Sequence, residues 1–205
     1  MLALIFNSFV TLLVVVDPLG LAPVFAALTR GSPSGYKREA AVRGTLLGAA
    51  ILFVFAFIGD GLLAALGIGM PAFRIAGGIL LFLTALDMVF GHPLGHPSQT
   101  QNQEGPVVKS DISVFPLAIP LIAGPGAITT VLLYTGGSSP VETAVFLGVL
   151  AFVLLLVLGS LLLAPRVMRL FGETGSDVIS RILGVLLAAL AVQFVLDGLR
   201  PVLRV

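Results

Sequence analysis

A block holding three apolar segments occurs twice in this chain, at an offset of 107 residues and without a gap. Pro18 falls on Pro125, Pro33 on Pro140, and Arg74-Ile75-x-Gly77-x-x-Leu80 on Arg181-Ile182-x-Gly184-x-x-Leu187. Each segment is near the ~20 residues that cross a hydrocarbon core as a helix. With an odd number of crossings per copy, the second copy must enter the bilayer from the opposite side to the first. The expected fold is therefore all-α: a polytopic membrane protein of six transmembrane helices, built as two inverted three-helix repeats. Many secondary transporters share that plan.

The bilayer is required by composition. The 205 residues are 58% hydrophobic and 10% charged, with a mean hydropathy of +1.13, more apolar surface than one soluble core could hide. Apolar stretches run over about 2–28, 41–59, 71–90, 112–134, 141–164 and 179–199. The first lacks a basic leader and carries Asp17-Pro18 in its middle, so it reads as a retained helix and not a cleaved signal. Residues 1–90 form the first repeat, 91–111 a polar linker rich in Gln, Pro and Gly, and 112–205 the second repeat. If the six helices alternate, one side receives Arg30, Lys37, Arg38, Arg43, Lys109, Arg166, Arg169 and Arg181, and the other only Arg74, Arg200 and Arg204. The positive-inside rule then puts the linker in the cytoplasm and both termini outside.

Two helices are interrupted at corresponding places: helix 1 at Val16-Asp17-Pro18-Leu19-Gly20-Leu21-Ala22-Pro23, and helix 4 at Pro120-Leu121-Ile122-Ala123-Gly124-Pro125-Gly126-Ala127. Proline removes a backbone donor and glycine lets the chain unwind, so each helix is expected to split near mid-membrane. Unpaired backbone groups cost several kcal/mol each in hydrocarbon, and such breaks persist only where they face protein or water. A half-helix N-terminus offers free N–H groups to an anion, and carbonyl ends suit an ammonium or a cation. The expected substrate-binding residues are Asp17, Pro18, Gly20, Gly124, Pro125, Gly126, Thr129 and Thr130. Kinking or close packing is the competing explanation. Asp17 could ligate an ammonium, carry a coupling H⁺ or Na⁺, or simply cap the following half-helix. Thr129 and Thr130 could line the cavity or bond back to their own helix. Asn7 and Thr11, four apart, share a helix face and mark either a polar path or interhelical hydrogen bonds.

Arg74 and Asp197 are expected on the outer side and Arg181 and Asp87 on the inner, as two symmetry-related gating pairs; snorkelling to the headgroups is the alternative. His92 and His96 share the linker without carboxylates or thiols nearby, a poor metal site, and the absence of cysteine excludes disulfides and thiolate ligands. No cofactor is expected. No nucleophile-base set, phosphate-cradling loop or dinucleotide fingerprint appears, so no enzyme is expected, and the basic loop at 30–43 fits anionic lipid better than nucleic acid. Gly44 and Gly48 form a small-xxx-small face that could serve an oligomer or internal packing.

Taken together, Asp17-Pro18-x-Gly20-x-x-Pro23-x-Phe25, Ala123-Gly124-Pro125-Gly126-Ala127-Ile128-Thr129-Thr130 and the two Arg-Ile-x-Gly helix starts resemble the MarC family, also called the neutral amino acid transporter family, over nearly the whole chain. The resemblance implies a six-helix inner-membrane protein similar in plan to the lysine-exporter superfamily, moving glycine, alanine and other small neutral amino acids. It also implies ion coupling. The rival expectations are an exporter of another small solute, a channel, or an intramembrane enzyme acting on a lipid phosphate with Arg74 and Arg181 as clamps.

Overall fold

Among the described residues, every regular element is helical. The computed structural model describes residues 1–90 and 111–203, without the side chains of residues 60, 167–174, 176 and 202. His92, His96 and nearly all of the linker lie outside the described residues. The first apolar stretch forms α1 (Leu2–Val16) and α2 (Pro18–Leu28), joined at Asp17. Then come α3 (Ser34–Ala65) and α4 (Met70–Phe90). In the second half an irregular helical segment, Ser113–Ile122, precedes α5 (Pro125–Thr135), α6 (Pro140–Leu162) and α7 (Ala164–Leu203).

The local chemistry explains the boundaries. Pro18, Pro125 and Pro140 each open a helix, where the missing N–H costs nothing. Ser139 adds a capping box, its hydroxyl accepting from the Glu142 amide while Glu142 accepts from the Ser139 amide at 3.0 Å. The turn before α6 passes through Gly137 at φ 71°, a left-handed conformation that glycine adopts without a Cβ penalty.

Among the described residues, five helical stretches are long and apolar enough to cross a bilayer, and six if Ser113–Ile122 and α5 count as one bent span. The outward faces are lipid-like: Phe57 and Leu155 expose 71% and 64% of their surface, which a water-soluble fold would hide. The third and sixth apolar stretches sit within α4 and α7 as expected. The second, expected over 41–59, extends to 34–65 because the charged residues after Pro33 continue the same helix.

Packing follows an exchange pattern between the halves. α3 packs on Ser113–Ile122, and α6 packs on α1; α3 also meets α5, as α6 meets α2; α4 meets α5, as α7 meets α2. The two remaining major contacts, α3 with α6 and α4 with α7, join equivalent helices of the two halves. The Gly44/Gly48 face is used inside the molecule. A Cβ on Gly44 would press into Leu117 and lie 3.1 Å from the Ser113 carbonyl, and one on Gly48 would lie 2.6 Å from an Ile122 methyl. The α4–α7 seam is as close: a Cβ on Gly78 would sit 2.7 Å from the Ala191 carbonyl oxygen, and one on Gly184 2.9 Å from Met88 Cβ.

Candidate functional site

The first break is a single residue. Asp17 takes the left-handed conformation (φ 45°, ψ 70°), ending α1 and starting α2 in one step. Its Oδ1 accepts from the Gly20 amide at 2.9 Å, and its Oδ2 accepts from the Ser180 hydroxyl of α7 at 3.3 Å. The Asp17 side chain thus caps the N-terminal end of α2. Pro18 is buried, and its carbonyl accepts from the Ser160 hydroxyl of α6. Gly20 is required by contact, because a Cβ there would overlap the Asp17 carboxylate and come within 2.8 Å of Ser180 Oγ. Held in this way, α1 and α2 continue as one span, Leu2–Leu28.

The second break is longer and sharper. Ser113–Ile122 and α5 meet at 53°. Non-helical backbone begins at Phe115 and recurs at Ile119, the residues before Pro116 and Pro120, both of whose peptide bonds are cis. The interruption therefore starts upstream of the 120–127 expected from sequence. Gly124, which occupies the repeat position of Asp17, is the extended N-cap of α5 and brings no side chain to cap it. Pro125 has no N–H, so Gly126 and Ala127 carry the free amides of the first turn. A cavity of about 340 Å³ opens there, lined by Gly124, Pro125, Gly126 and Ala127, by Pro120 and Leu121, by Val15 of α1, and by Leu80, Leu83, Thr84 and Asp87 of α4. The first turn of an uncapped helix and an acidic residue of α4 thus line one space. Asp17 is not among the residues lining it.

The threonines after the break do not line it either. Thr130 is buried and donates to the Gly126 carbonyl at 2.9 Å, the back-bonding alternative. Thr129 is buried against Gly77, whose missing Cβ makes room for its methyl group. Arg74 and Asp197 line a second, smaller cavity of about 160 Å³ with Leu133, Tyr134 and Phe194. The Asp197 carboxylate pairs with Arg200 at 3.2 Å and accepts from Gln193 at 2.9 Å. Asp87 lies beside the second break, and the exposed Arg181 is not among the residues lining that cavity. Thr11 is buried and shares a 3.1 Å hydrogen bond with the Tyr134 hydroxyl, while Asn7 is exposed.

The family model described as MarC family integral membrane protein matches residues 2–203. The chain belongs to the MarC family. A UPF0056 membrane protein of Archaeoglobus fulgidus is 38% identical over 199 residues, covering 97% of this chain and 93% of the relative. The UPF0056 membrane protein YhcE of Escherichia coli K12 is 34% identical over 201 residues, covering 96% and 92%. The UPF0056 inner membrane protein YhgN of the same strain is 34% identical over 200 residues, covering 96% of each. No solved structure matches the chain. This MarC protein is thus an integral membrane protein with several apolar crossings. Its two Gly/Pro motifs form the breaks described above, and the Arg-Ile-x-Gly glycines pack helix against helix, Gly77 on α5 and Gly184 on α4. Sequence reasoning missed Ser160, Ser180 and Tyr134, whose hydroxyls reach the first break and the first helix. Only Ser160 carried a local signal, a lone hydroxyl in an apolar run, whereas Ser180 stands beside Arg181 and Tyr134 beside Thr135; each partner, 123 to 163 residues away, leaves no trace in local spacing.

Proposed function

We propose that this MarC protein is a secondary transporter of small neutral amino acids such as glycine and alanine in the inner membrane. It would work by alternating access between two inverted three-helix repeats, with H⁺ or Na⁺ as coupling ion and both termini outside. The observation that carries this reading is the cavity at the second break, which the first turn of the uncapped α5 and Asp87 of α4 line together. A zwitterion needs an anion seat and a cation seat within one small space. The α5 amides suit its carboxylate and Asp87 its ammonium or a coupling cation. A wall of glycine, alanine and branched aliphatics, without a large aromatic lining, suits a small side chain. The exchange pattern of packing supports the repeat reading, because each half holds the broken segment of the other.

In this assignment Asp17 holds the first break and Asp87 serves the substrate. The test is uptake of radiolabelled glycine and alanine into proteoliposomes, with and without imposed H⁺ and Na⁺ gradients. Saturable uptake driven by one gradient is expected, with Asp87→Asn reducing it at least tenfold; no saturable uptake by a demonstrably folded sample would sink the reading. Uptake that Asp87→Asn leaves intact would keep the transporter and remove Asp87 from its site.

A further inference from the structure

A third cavity, of about 410 Å³, lies away from both breaks, where α2 ends, α3 begins and α6 turns into α7. Its apolar part is made by Phe25, Ala26, Leu161, Leu162, Ala164 and Pro165, and its polar rim by Thr29, Ser34, Lys37 and Arg38. Candidate spans end at Leu28 and Leu162 and begin at Ser34, which puts the site at a membrane boundary, and in the proposed six-span topology that boundary receives most of the basic residues.

Among the described residues, no carboxylate neutralises the charges on this rim. The carboxylates near the start of α3 are committed to Arg43, with Glu39 at 3.4 Å and Asp111 at 3.3 Å. Among the described residues, Lys37 and Arg38 have no carboxylate within ion-pair distance. Lys37 is half-buried beside apolar walls, where a cation gains most from a counter-charge. The Thr29 hydroxyl is spent on the Phe25 carbonyl at 2.8 Å, so the free polar groups of the rim are cationic or belong to the first turn of α3, whose dipole also favours an anion. Beneath them Phe25 and Leu161 are buried, while Leu162 is 42% exposed, so the apolar wall continues to the surface of the helix bundle, where a hydrocarbon chain can enter.

We infer that this cavity binds an anionic glycerophospholipid, its phosphate held by Lys37, Arg38 and the first turn of α3 and an acyl chain laid against Phe25, Leu161 and Leu162. The site is independent of the transport cavity and does not rest on the proposed substrate.

Native mass spectrometry of the full chain, released from detergent after titration with equal concentrations of phosphatidylglycerol and phosphatidylcholine, tests it. One phosphatidylglycerol per chain should be retained in preference. Lys37→Gln with Arg38→Gln should erase that preference, about fivefold for each cation removed. Lys37→Arg with Arg38→Lys should keep it, which separates lost charge from lost folding, and Arg43→Gln should leave it unchanged. Equal retention of the two lipids, or a preference that survives the double glutamine variant, would overturn the inference. So would full displacement of the lipid by millimolar inorganic phosphate, which would show a site for the free anion.

Discussion

At the scale of the residue, the two breaks differ by one side chain. The repeat places Gly124 where Asp17 stands, and the consequence is a capped helix start at α2 and an uncapped one at α5. Losing an aspartate N-cap costs on the order of 1 kcal/mol, and Asn caps about as well as Asp. Asp17→Ala is therefore expected to lower the thermal midpoint of the purified protein by several degrees, with Asp17→Asn close to wild type. Equal losses in the two variants would mean that the charge, and not the cap, holds the break. Ser180→Ala should cost less than Asp17→Ala, since the Gly20 amide remains bonded. That Asp17 was special could be read from the sequence, because an ionisable group before proline inside an apolar run has few uses. Its use could not be read, because the choice between cap and ligand depends on where the carboxylate turns. Ser180, from the last helix, helps to fix that direction.

At the scale of the element, small residues set how near the helices come. A Cβ on Gly78 of α4 would lie 2.7 Å from a backbone oxygen of α7, an atom that cannot move without the helix, while one on Gly148 of α6 would meet nothing within 4 Å. Overpacking of this kind costs roughly 1–3 kcal/mol, whereas alanine for glycine in an open helix position gains about 0.5–1 kcal/mol. Gly78→Ala should thus destabilise and Gly148→Ala should be neutral or stabilising, as thermal unfolding in detergent would measure; the reverse order would refute the assigned α4–α7 seam. A second element-scale expectation concerns the start of the irregular segment. The Ser113 hydroxyl and amide, at 2.6 and 3.1 Å, and then Arg43 hold the exposed Asp111 carboxyl below its ordinary range. A depressed folded value means that the stabilisation is present above the unfolded pKa and fades as pH falls through the folded one. Amide protection at 113–115 should accordingly drop in acid, and Asp111→Asn should remove that dependence. The helices themselves were legible from apolar runs and from Pro18, Pro125 and Pro140 as starts. The true extent of the second break was not, although Pro116 carried the signal: the residue before each proline leaves the helical region, so the interruption begins at Phe115.

At the scale of the whole molecule, the proposed repeat draws on two separate observations. The 107-residue offset comes from the sequence alone, and the exchanged contacts of α3 with Ser113–Ile122 and of α6 with α1 come from the structure alone. The sense in which each half crosses the bilayer is a separate property, which the basic residues bias toward both termini outside. The chain contains no cysteine, so single introduced thiols can decide it against no background. Ser32 lies in the turn between α2 and α3, and Ser138 in the corresponding turn between α5 and α6. An inverted repeat requires these turns on opposite faces: Ser138→Cys should react with a membrane-impermeant maleimide added outside intact cells, and Ser32→Cys only after the membrane is opened. Labelling of both from one side would make the repeat parallel and remove the opposed breaks on which alternating access depends. The opposite assignment of sides would keep the inverted repeat and reverse the orientation, placing the Lys37/Arg38 cavity at the outer face.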